Sequence, residues 1–174
     1  QRASKLARKM VTEWGMSETL GTMYLGASEE VFLGRDYQTQ LNYSDAVAAK
    51  IDEEVKRILD EQYQEALTEF SKALELLPKP DYMWEAATWL YGSIGDMYFQ
   101  LNDYSASLDC FMKAQKCPDG MGNPFICVRI GECFFELGNI EKAKQYLMQA
   151  YMLEGEEIFL DADPKYLALI LPLI

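Results

Sequence analysis

The sequence predicts an all-α protein, in which a helical bundle segment continues through one long shared helix into a short α-solenoid of helix hairpins. Three observations predict this fold class. Apolar residues recur at helical spacing along most of the chain. No Gly or Pro interrupts residues 44–77. Beyond about residue 82, several residue types recur with a period of 36. A chain of 174 residues that is 49% apolar can bury a substantial core.

The first predicted helix covers residues 1–15 and ends at Gly15. We expect Leu6, Met10 and Trp14 to form a local core with the long helix and to pack against the start of the repeats. The partners expected from the long helix are Val55, Ile58 and Leu59. Residues 16–43 are predicted as a long glycine-containing loop with a short extended piece.

The long helix is predicted from Ser44, as the N-cap, to Leu77, just before Pro78. At 1.5 Å per residue it would be about 50 Å long, which favours a repeat array or a fusion over an ordinary globular helix. A coiled coil is the weakest explanation because the a/d heptad is not maintained. We interpret Glu53 and Glu54 as two charges on a solvated helix face rather than as a catalytic pair.

Turn signals after Pro78 predict further helices separated by short loops. Their predicted limits are Asp81 to about Gln100, with Asp81 as the cap; Ser105–Lys116; Asn123–Leu137, with Asn123 as the cap; Glu141–Glu154; and about 163–173, with Asp163 as the cap.

The net charge of −12 is divided unevenly, with −2 in residues 1–60 and −10 in residues 61–174. An acidic surface repels phosphate backbones, so we expect no nucleic-acid binding and a preference for basic or neutral partners. No apolar run reaches the roughly 18 residues that span a bilayer, so we expect no membrane insertion.

The sequence contains no histidine, which excludes Ser-His-Asp and Cys-His catalysis and the HExxH zinc site. The cysteines form no CxxC pair and are interpreted as small buried apolar residues: Cys110, Cys117, Cys127 and Cys133. We therefore expect no catalytic residue, no cofactor and no metal site. Reduced thiols indicate a cytoplasmic location.

The internal repeat has Gly, Ala and aromatic residues at matching positions. The pairs separated by 36 are Gly95/Gly131, Tyr98/Phe134, Leu101/Leu137, Asp103/Asn139, Phe111/Leu147 and Ala114/Ala150. Small residues allow the paired helices to approach closely, and aromatics fill the space to the next pair. The pattern resembles the tetratricopeptide repeat (TPR), whose period is 34; the loop "DGMGNP" can supply the two extra residues. This resemblance covers repeats at about 82–118 and 123–154.

Residues 66–78 also resemble the second helix of a repeat, but the first helix of that repeat is missing. Its Gly and aromatic would stand at Glu54 and Arg57, and neither residue fits. We therefore expect a TPR-like domain over 66–174 that begins with a half repeat.

In the TPR family, the first helices of the pairs line a concave groove. The matching positions here are Trp89, Asp96, Phe99, Gln100, Phe125, Val128, Glu132, Phe135 and Glu136. Their aromatic and acidic character implies an extended peptide ligand with basic and apolar side chains. Gly92 and Asp96 stand at two positions of the Lys/Asn clamp that some members use, so that clamp is absent. Aromatics at helical spacing are also common in cores, and this alternative stays open.

The front of the chain contains "MVTEWGMS", "EVFLGR" and "IDEEV" in that order. Residues 1–65 resemble the C-terminal helical part of the FtsH-type ATP-dependent membrane zinc metalloproteases. In that family the HExxH motif and the third zinc ligand, an Asp, precede this part. The resemblance therefore implies no catalytic or metal-binding residue here, and no residue matches the ATPase module or the transmembrane helices.

The start at Gln1, the missing half repeat and the missing zinc motif favour an engineered fusion of two families, excised or assembled, with its seam near Asp60–Ala66. It would be a non-catalytic scaffold with a TPR-type interaction surface. Two alternatives stay open: a natural TPR adaptor that binds a basic or apolar peptide, and an inactive fragment of a membrane-bound zinc metalloprotease. We also expect the apolar tail "LALILPLI" to be exposed and able to promote self-association.

Overall fold

The computed structural model describes residues 2–21, 25 and 44–173, in which seven α-helices and no β-strand are found. The helices are α1 (Arg2–Thr12), α2 (Asp45–Glu75), α3 (Glu85–Gln100), α4 (Tyr104–Ala114), α5 (Pro124–Glu136), α6 (Ile140–Glu154) and α7 (Pro164–Ile170). The all-α prediction is confirmed. Most of the loop predicted over residues 16–43, including the short extended piece, lies outside the described residues, namely at 22–24 and 26–43.

The chain is divided into two compact units, Gln1–Gln62 and Tyr63–Ile174. The border between them falls within α2. We call them the N-terminal unit and the C-terminal unit. The predicted domain border, between residues 65 and 66, lies close to this position.

The core of the N-terminal unit contains Ala7 and Val11 of α1 and Ile51 and Val55 of α2, together with Leu25. Ile58 and Leu59 pack against this core, and Val55 lies within it, as predicted.

The prediction was wrong for Leu6 and Trp14, which are 51% and 56% exposed. The buried side of α1 begins one residue later, at Ala7, whose small side chain allows close approach to α2. Trp14 lies beyond the end of α1 at Thr12, where helical spacing no longer determines the direction of a side chain.

Glu54 is buried, so the prediction of a solvated position was wrong for this residue. Its carboxylate accepts hydrogen bonds from Arg57 at 3.1 Å, from Thr19 Oγ1 at 2.9 Å and from Ser17 Oγ at 3.0 Å. The bond from Arg57, with those from the two hydroxyls, holds the pKa of Glu54 below its ordinary value although burial opposes this. These bonds join α2 to the turn that follows α1.

The C-terminal unit contains, besides the end of α2 and α7, two helix hairpins, α3–α4 and α5–α6, that are held by close contacts at glycine. A Cβ atom at Gly95 would lie 2.9 Å from the ring of Phe111, and one at Gly131 would lie 2.7 Å from the side chain of Leu147. Ser107 Oγ donates a hydrogen bond to the Gly95 carbonyl at 2.8 Å across the first hairpin. These positions therefore require glycine for the reason that the repeat predicts.

The turns of the two hairpins have the same geometry. Asn102 and Gly138 take the left-handed conformation, with φ of 63° and 79°. After α3, the Asp103 amide donates to the Tyr98 carbonyl at 2.9 Å, which closes the helix end with a Schellman-type turn. The carboxylate of Asp103 then caps α4, as the side chain of Asn139 caps α6. One residue in each turn thus ends one helix and starts the next.

The predicted caps Asn123 and Asp163 are confirmed at the starts of α5 and α7. The predicted cap at Asp81 was wrong, because α3 begins at Glu85 and its N-cap is Trp84. Asp81 lies in a preceding 3₁₀ turn. Its carboxylate is already bound by Lys79 at 2.7 Å and by Tyr91 at 3.1 Å.

Three of the four cysteines are buried, and Cys110 is only partly buried on α4. Cys133 lies in the core between the hairpins with Phe111 and Ile130. Burial raises the pKa of Cys133 to about 12, so this thiol is unreactive at neutral pH. The expected structural role fits these three cysteines better than it fits Cys110.

Arg129 of α5 joins two carboxylates and two aromatic rings. Its guanidinium lies 2.6 Å from Asp96 Oδ1 on α3, as an ion pair without hydrogen-bond geometry. It donates to Glu132 Oε2 at 2.9 Å. The ring centroids of Phe99 and Phe125 lie 4.8 and 5.4 Å from its central carbon. Burial raises the pKa of Glu132, and Arg129 opposes this rise.

The close contact at Gly95 gives the first prediction. Gly95→Ala should destabilise the C-terminal unit by about 1–3 kcal/mol, because the added methyl group meets the buried ring of Phe111. Gly92→Ala is the matched control on the same helix, since a Cβ atom there meets nothing within 4 Å. It should be neutral or stabilising by up to about 1 kcal/mol. Urea denaturation followed by circular dichroism measures both, and equal stabilities would contradict the close contact.

Arg129→Met should lower stability at pH 7 by about 3 kcal/mol, because the buried carboxylate of Glu132 loses its cation. The pKa of Glu132 then rises further. The folded protein therefore takes up a proton that the unfolded chain does not, and stability recovers as the pH is lowered towards the ordinary value of 4.5.

The control is the double variant Arg129→Met, Glu132→Gln, in which the recovery on acidification should disappear. Denaturation midpoints measured from pH 7 to pH 5 test both variants. A deficit in Arg129→Met that does not change with pH would show that Glu132 is not responsible.

Candidate functional site

A cleft of about 330 Å³ lies in the C-terminal unit between α3 and the start of α5. Its walls come from the end of α2, from one face of α3, from the loop before α5 and from the first turn of α5. The lining residues are Phe70, Glu85, Thr88, Trp89, Gly92, Ser93, Asp96, Met97, Pro118, Asp119, Asn123, Phe125 and Ile126.

The walls of the cleft expose two large aromatic side chains. Trp89 is 70% exposed and Phe125 is 43% exposed. Gly92 keeps the wall open between them, because it carries no side chain one turn after Trp89 on α3. Phe125 also contacts the core, with its ring centroid 6.1 Å from that of Phe111. The cleft therefore combines an apolar wall that is supported by the core with an indole that is open to solvent.

The loop before α5 is fixed to α3 by a short hydrogen bond. Thr88 Oγ1 donates to the Pro118 carbonyl at 2.5 Å. The same loop ends at Asn123, whose side chain accepts from the Ile126 amide at 3.2 Å and so begins α5. Asp119 is held in a left-handed conformation within this loop, with φ of 57°.

Three of the lining side chains are acidic and none is basic. Asp96 is paired with Arg129, which lies behind the lining. Glu85 and Asp119 are exposed, and in the part of the chain that the structure describes neither forms an ion pair. The cleft is therefore suited to a cation that approaches from solvent.

Of the nine residues predicted to line a groove, the structure places Trp89, Asp96 and Phe125 in this cleft. Gln100 is partly buried and does not line it. Glu132 is 1% exposed, which leaves it inaccessible to a ligand. The other four predicted residues lie against the segment that contains α7.

Helix α7 covers the second half of the predicted groove. Val128 is buried in a core cluster with Tyr166, and Phe135 meets the ring of Tyr166 edge-on at 5.4 Å. Lys165 Nζ and Tyr166 Oη both donate to Glu136 at 2.7 Å. A basic and an aromatic side chain of the chain itself therefore occupy the acidic and aromatic positions in this half.

Phe99 also packs against this cluster and against Arg129, and it supports both hairpins. Its replacement by Ala would disturb the core as well as any ligand, so Trp89 is the better residue with which to test binding. The prediction that the C-terminal tail is exposed is only partly correct. Ile170 is fully buried, whereas Leu171 and Leu173 are 55% and 57% exposed.

Three lining residues were not predicted from the sequence to belong to the site: Pro118 and Asp119 of the loop and Phe70 of α2. Loop residues carry no helical periodicity, and the groove positions that the repeat implies lie only on the first helices of the pairs. The signal available was the loop "DGMGNP", which was interpreted only as extra length.

Within residues 2–21, 25 and 44–173, no three Cys, Asp or Glu side chains are grouped closely enough to hold a metal ion. None of the helices that the structure describes is long and apolar enough to cross a membrane.

Two protein families match different parts of the chain. Residues 1–79 match Peptidase family M41. Residues 90–116 and 126–156 match the tetratricopeptide repeat family. The first match continues beyond residue 65 and includes the predicted half repeat.

Curated relatives match the front of the chain. ATP-dependent zinc metalloprotease FtsH 1 of Thermoanaerobacter sp. (strain X514) is 61% identical over 67 residues, which are 38% of this chain and 11% of that protein. FtsH of Bacillus subtilis (strain 168) is 51% identical over 82 residues, which are 44% of this chain and 13% of that protein.

FtsH of Alkalihalophilus pseudofirmus is 52% identical over 84 residues, or 12% of its own length. The match thus covers only a small part of each of these relatives. The chain joins an N-terminal segment similar to FtsH-type zinc metalloproteases to a C-terminal segment of tetratricopeptide-like repeats.

Proposed function

We propose that the C-terminal unit binds a protein or peptide segment with basic and apolar side chains, and that the cleft between α3 and α5 is the binding site. The observation that carries this proposal is an exposed tryptophan, Trp89, in a cleft whose charged lining residues are all acidic. The match to tetratricopeptide repeats supports an interaction surface of this general kind.

The apolar part of the ligand would be held by burial. Trp89 and Phe125 offer aromatic surface that is in contact with water in the free protein. An aliphatic or aromatic side chain placed between them would remove this surface from water, which favours binding. Tryptophan at the centre of an interface often carries much of the binding energy.

The basic part of the ligand would be selected by charge. Glu85 and Asp119 are exposed and line the cleft, so they can pair with a lysine or arginine of the ligand. The face of an indole also attracts a cation when the two come within about 6 Å. An acidic peptide of the same shape would be repelled.

The proposed site is shorter than the groove that the sequence predicts. Glu136 is bound by Lys165 and Tyr166, and Phe135 is in contact with Tyr166. A ligand would therefore use the first half of the groove only, which suits a segment with a few anchoring side chains.

We further propose that the N-terminal unit acts as a non-catalytic structural part, and that the chain is an engineered fusion of the two families through α2. The first family match ends at residue 79, just after α2, and the second begins at residue 90, within α3. The border between the compact units falls within α2. The alternatives are a natural TPR adaptor and an inactive protease fragment. Under both hypotheses the chain is non-catalytic.

Peptide binding is tested with a labelled peptide of lysine and leucine, measured by fluorescence anisotropy. We expect saturable binding at about micromolar Kd that weakens as the salt concentration is raised. Trp89→Ala should weaken it tenfold or more, because it removes the main apolar wall.

Tyr82→Ala is the matched control for this experiment, since Tyr82 is also an exposed aromatic but does not line the cleft. It should leave the Kd unchanged. A second peptide, with glutamate in place of lysine, should not bind. Equal effects of the two variants, or equal binding of the two peptides, would refute the proposed site.

The non-catalytic reading is tested with a casein cleavage assay with added zinc. We expect no cleavage above the buffer control, because no histidine is available as a zinc ligand. Cleavage that a chelator abolishes and that copurifies with the chain would overturn this reading.

A further inference from the structure

Helix α1 and the turn after it expose a group of apolar and basic side chains. Leu6, Trp14 and Met16 are 51%, 56% and 55% exposed, and Lys5 and Lys9 are also exposed. We call these five residues the α1 face. Leu6 and Trp14 were predicted to lie in a core, whereas in the structure their side chains are exposed.

The α1 face is held together by main-chain hydrogen bonds. The Trp14 amide donates to the Lys9 carbonyl at 3.2 Å, and the Met16 amide donates to the Met10 carbonyl at 2.9 Å. The turn therefore folds back on the last turn of α1 and keeps Trp14 and Met16 close to it. Large apolar side chains exposed together in this way often mark an interaction surface.

The charge of α1 is positive throughout. Its residues Arg2–Thr12 include four basic side chains and no acidic one. Arg8 is paired with Asp52 within its own unit. Lys5 and Lys9 form no ion pair with any residue that the structure describes. The α1 face thus presents two available cations beside a tryptophan, a leucine and a methionine.

The cleft of the C-terminal unit has the complementary character. It has an apolar wall at Trp89 and Phe125 and exposed carboxylates at Glu85 and Asp119. The residues from 61 onward carry a net charge of −10, whereas the four charged residues of α1 are all basic. Both surfaces are exposed in one chain. The α1 face has cations and the cleft has carboxylates, and both have apolar side chains.

We propose that the cleft of one copy of this chain binds the α1 face of a second copy. Leu6 and Trp14 would enter between Trp89 and Phe125, and the two lysines would pair with the exposed carboxylates. This inference rests on the proposed function of the cleft and names its occupant.

The two surfaces differ, so the contact is heterologous: each copy that fills a neighbour's cleft leaves its own cleft free for another copy. Growing chains or a closed ring follow from this arrangement, rather than a dimer about a two-fold axis. Pairing of identical surfaces of the C-terminal unit, around the end of α6, is less favourable. The exposed Met152 and Leu160 there lie among exposed acidic residues, namely Glu154, Glu156, Glu157 and Asp161, which would repel each other.

The experiment uses sedimentation velocity over a concentration series with two variants of the full chain. The face variant is Leu6→Asp, Trp14→Asp, and the cleft variant is Trp89→Ala. Both change exposed side chains, so neither should disturb folding, and circular dichroism checks this. The parent chain should self-associate. Each variant alone should self-associate at least about tenfold more weakly than the parent chain.

An equimolar mixture of the two variants is the decisive sample. The face variant still has an intact cleft, and the cleft variant still has an intact α1 face. One good contact is therefore restored, and the mixture should form a complex of twice the 19.9 kDa chain mass that does not grow further. A parent chain that stays monomeric, or a mixture that shows no heterodimer, would overturn the proposal.

Two further variants test whether the contact involves the charge of the α1 face and whether it involves the C-terminal tail instead. Lys5→Glu, Lys9→Glu changes only charge on the α1 face and should weaken self-association at low salt more than at high salt. Leu171→Asp, Leu173→Asp alters the C-terminal tail and should have no effect. If the tail variant alone abolishes self-association, the contact lies at the tail and the proposal is wrong.

The lysine and leucine peptide separates failure of this inference from failure of the proposed function. The peptide should bind the face variant as well as it binds the parent chain at low protein concentration. If it binds but the mixture forms no heterodimer, the cleft is a binding site and a second copy is not its occupant. If neither binds, both proposals fall.

Discussion

The C-terminal unit depends on the distance between the two helices of each hairpin. At Gly95 and Gly131 the helices come so close that a single added carbon would meet Phe111 or Leu147 within 3 Å. This contact aligns α3 with α4 and α5 with α6. Because Phe111 also supports Phe125, the position of a cleft wall depends on the same packing. The position of Phe125 in a ligand site on this unit therefore depends on the pairing of its helices.

The residues that carried the repeat were predictable from the sequence because their roles are local. Gly95, its partner Phe111 and the caps Asp103 and Asn139 act within one hairpin, where spacing along the chain determines contact. Leu6 was predicted wrongly because its helix has apolar residues on more than one side. Spacing alone could not show which side faces α2.

The candidate site was harder to predict than the fold because it depends on contacts between distant segments. Trp89, Asp96 and Phe125 follow from the repeat pattern, whereas the covering of Phe135 and Glu136 by α7 does not. Glu54 shows the same limit, since its hydroxyl partners Ser17 and Thr19 lie more than 30 positions away. Helical periodicity reports neither kind of contact.

The turns after α3 and α5 have a consequence for how this array can change in length. Each turn closes its helix and caps the next within three residues, 101–103 and 137–139. The capping hydrogen bonds all join residues of the same hairpin. A hairpin therefore contains the residues that end its first helix and cap its second, and a duplicated copy would need no other residues to form its turn. Variation in length falls instead on the loop at 117–123, which also lines the cleft. Changes in the number or spacing of hairpins would thus alter ligand preference while leaving the helix pairs intact.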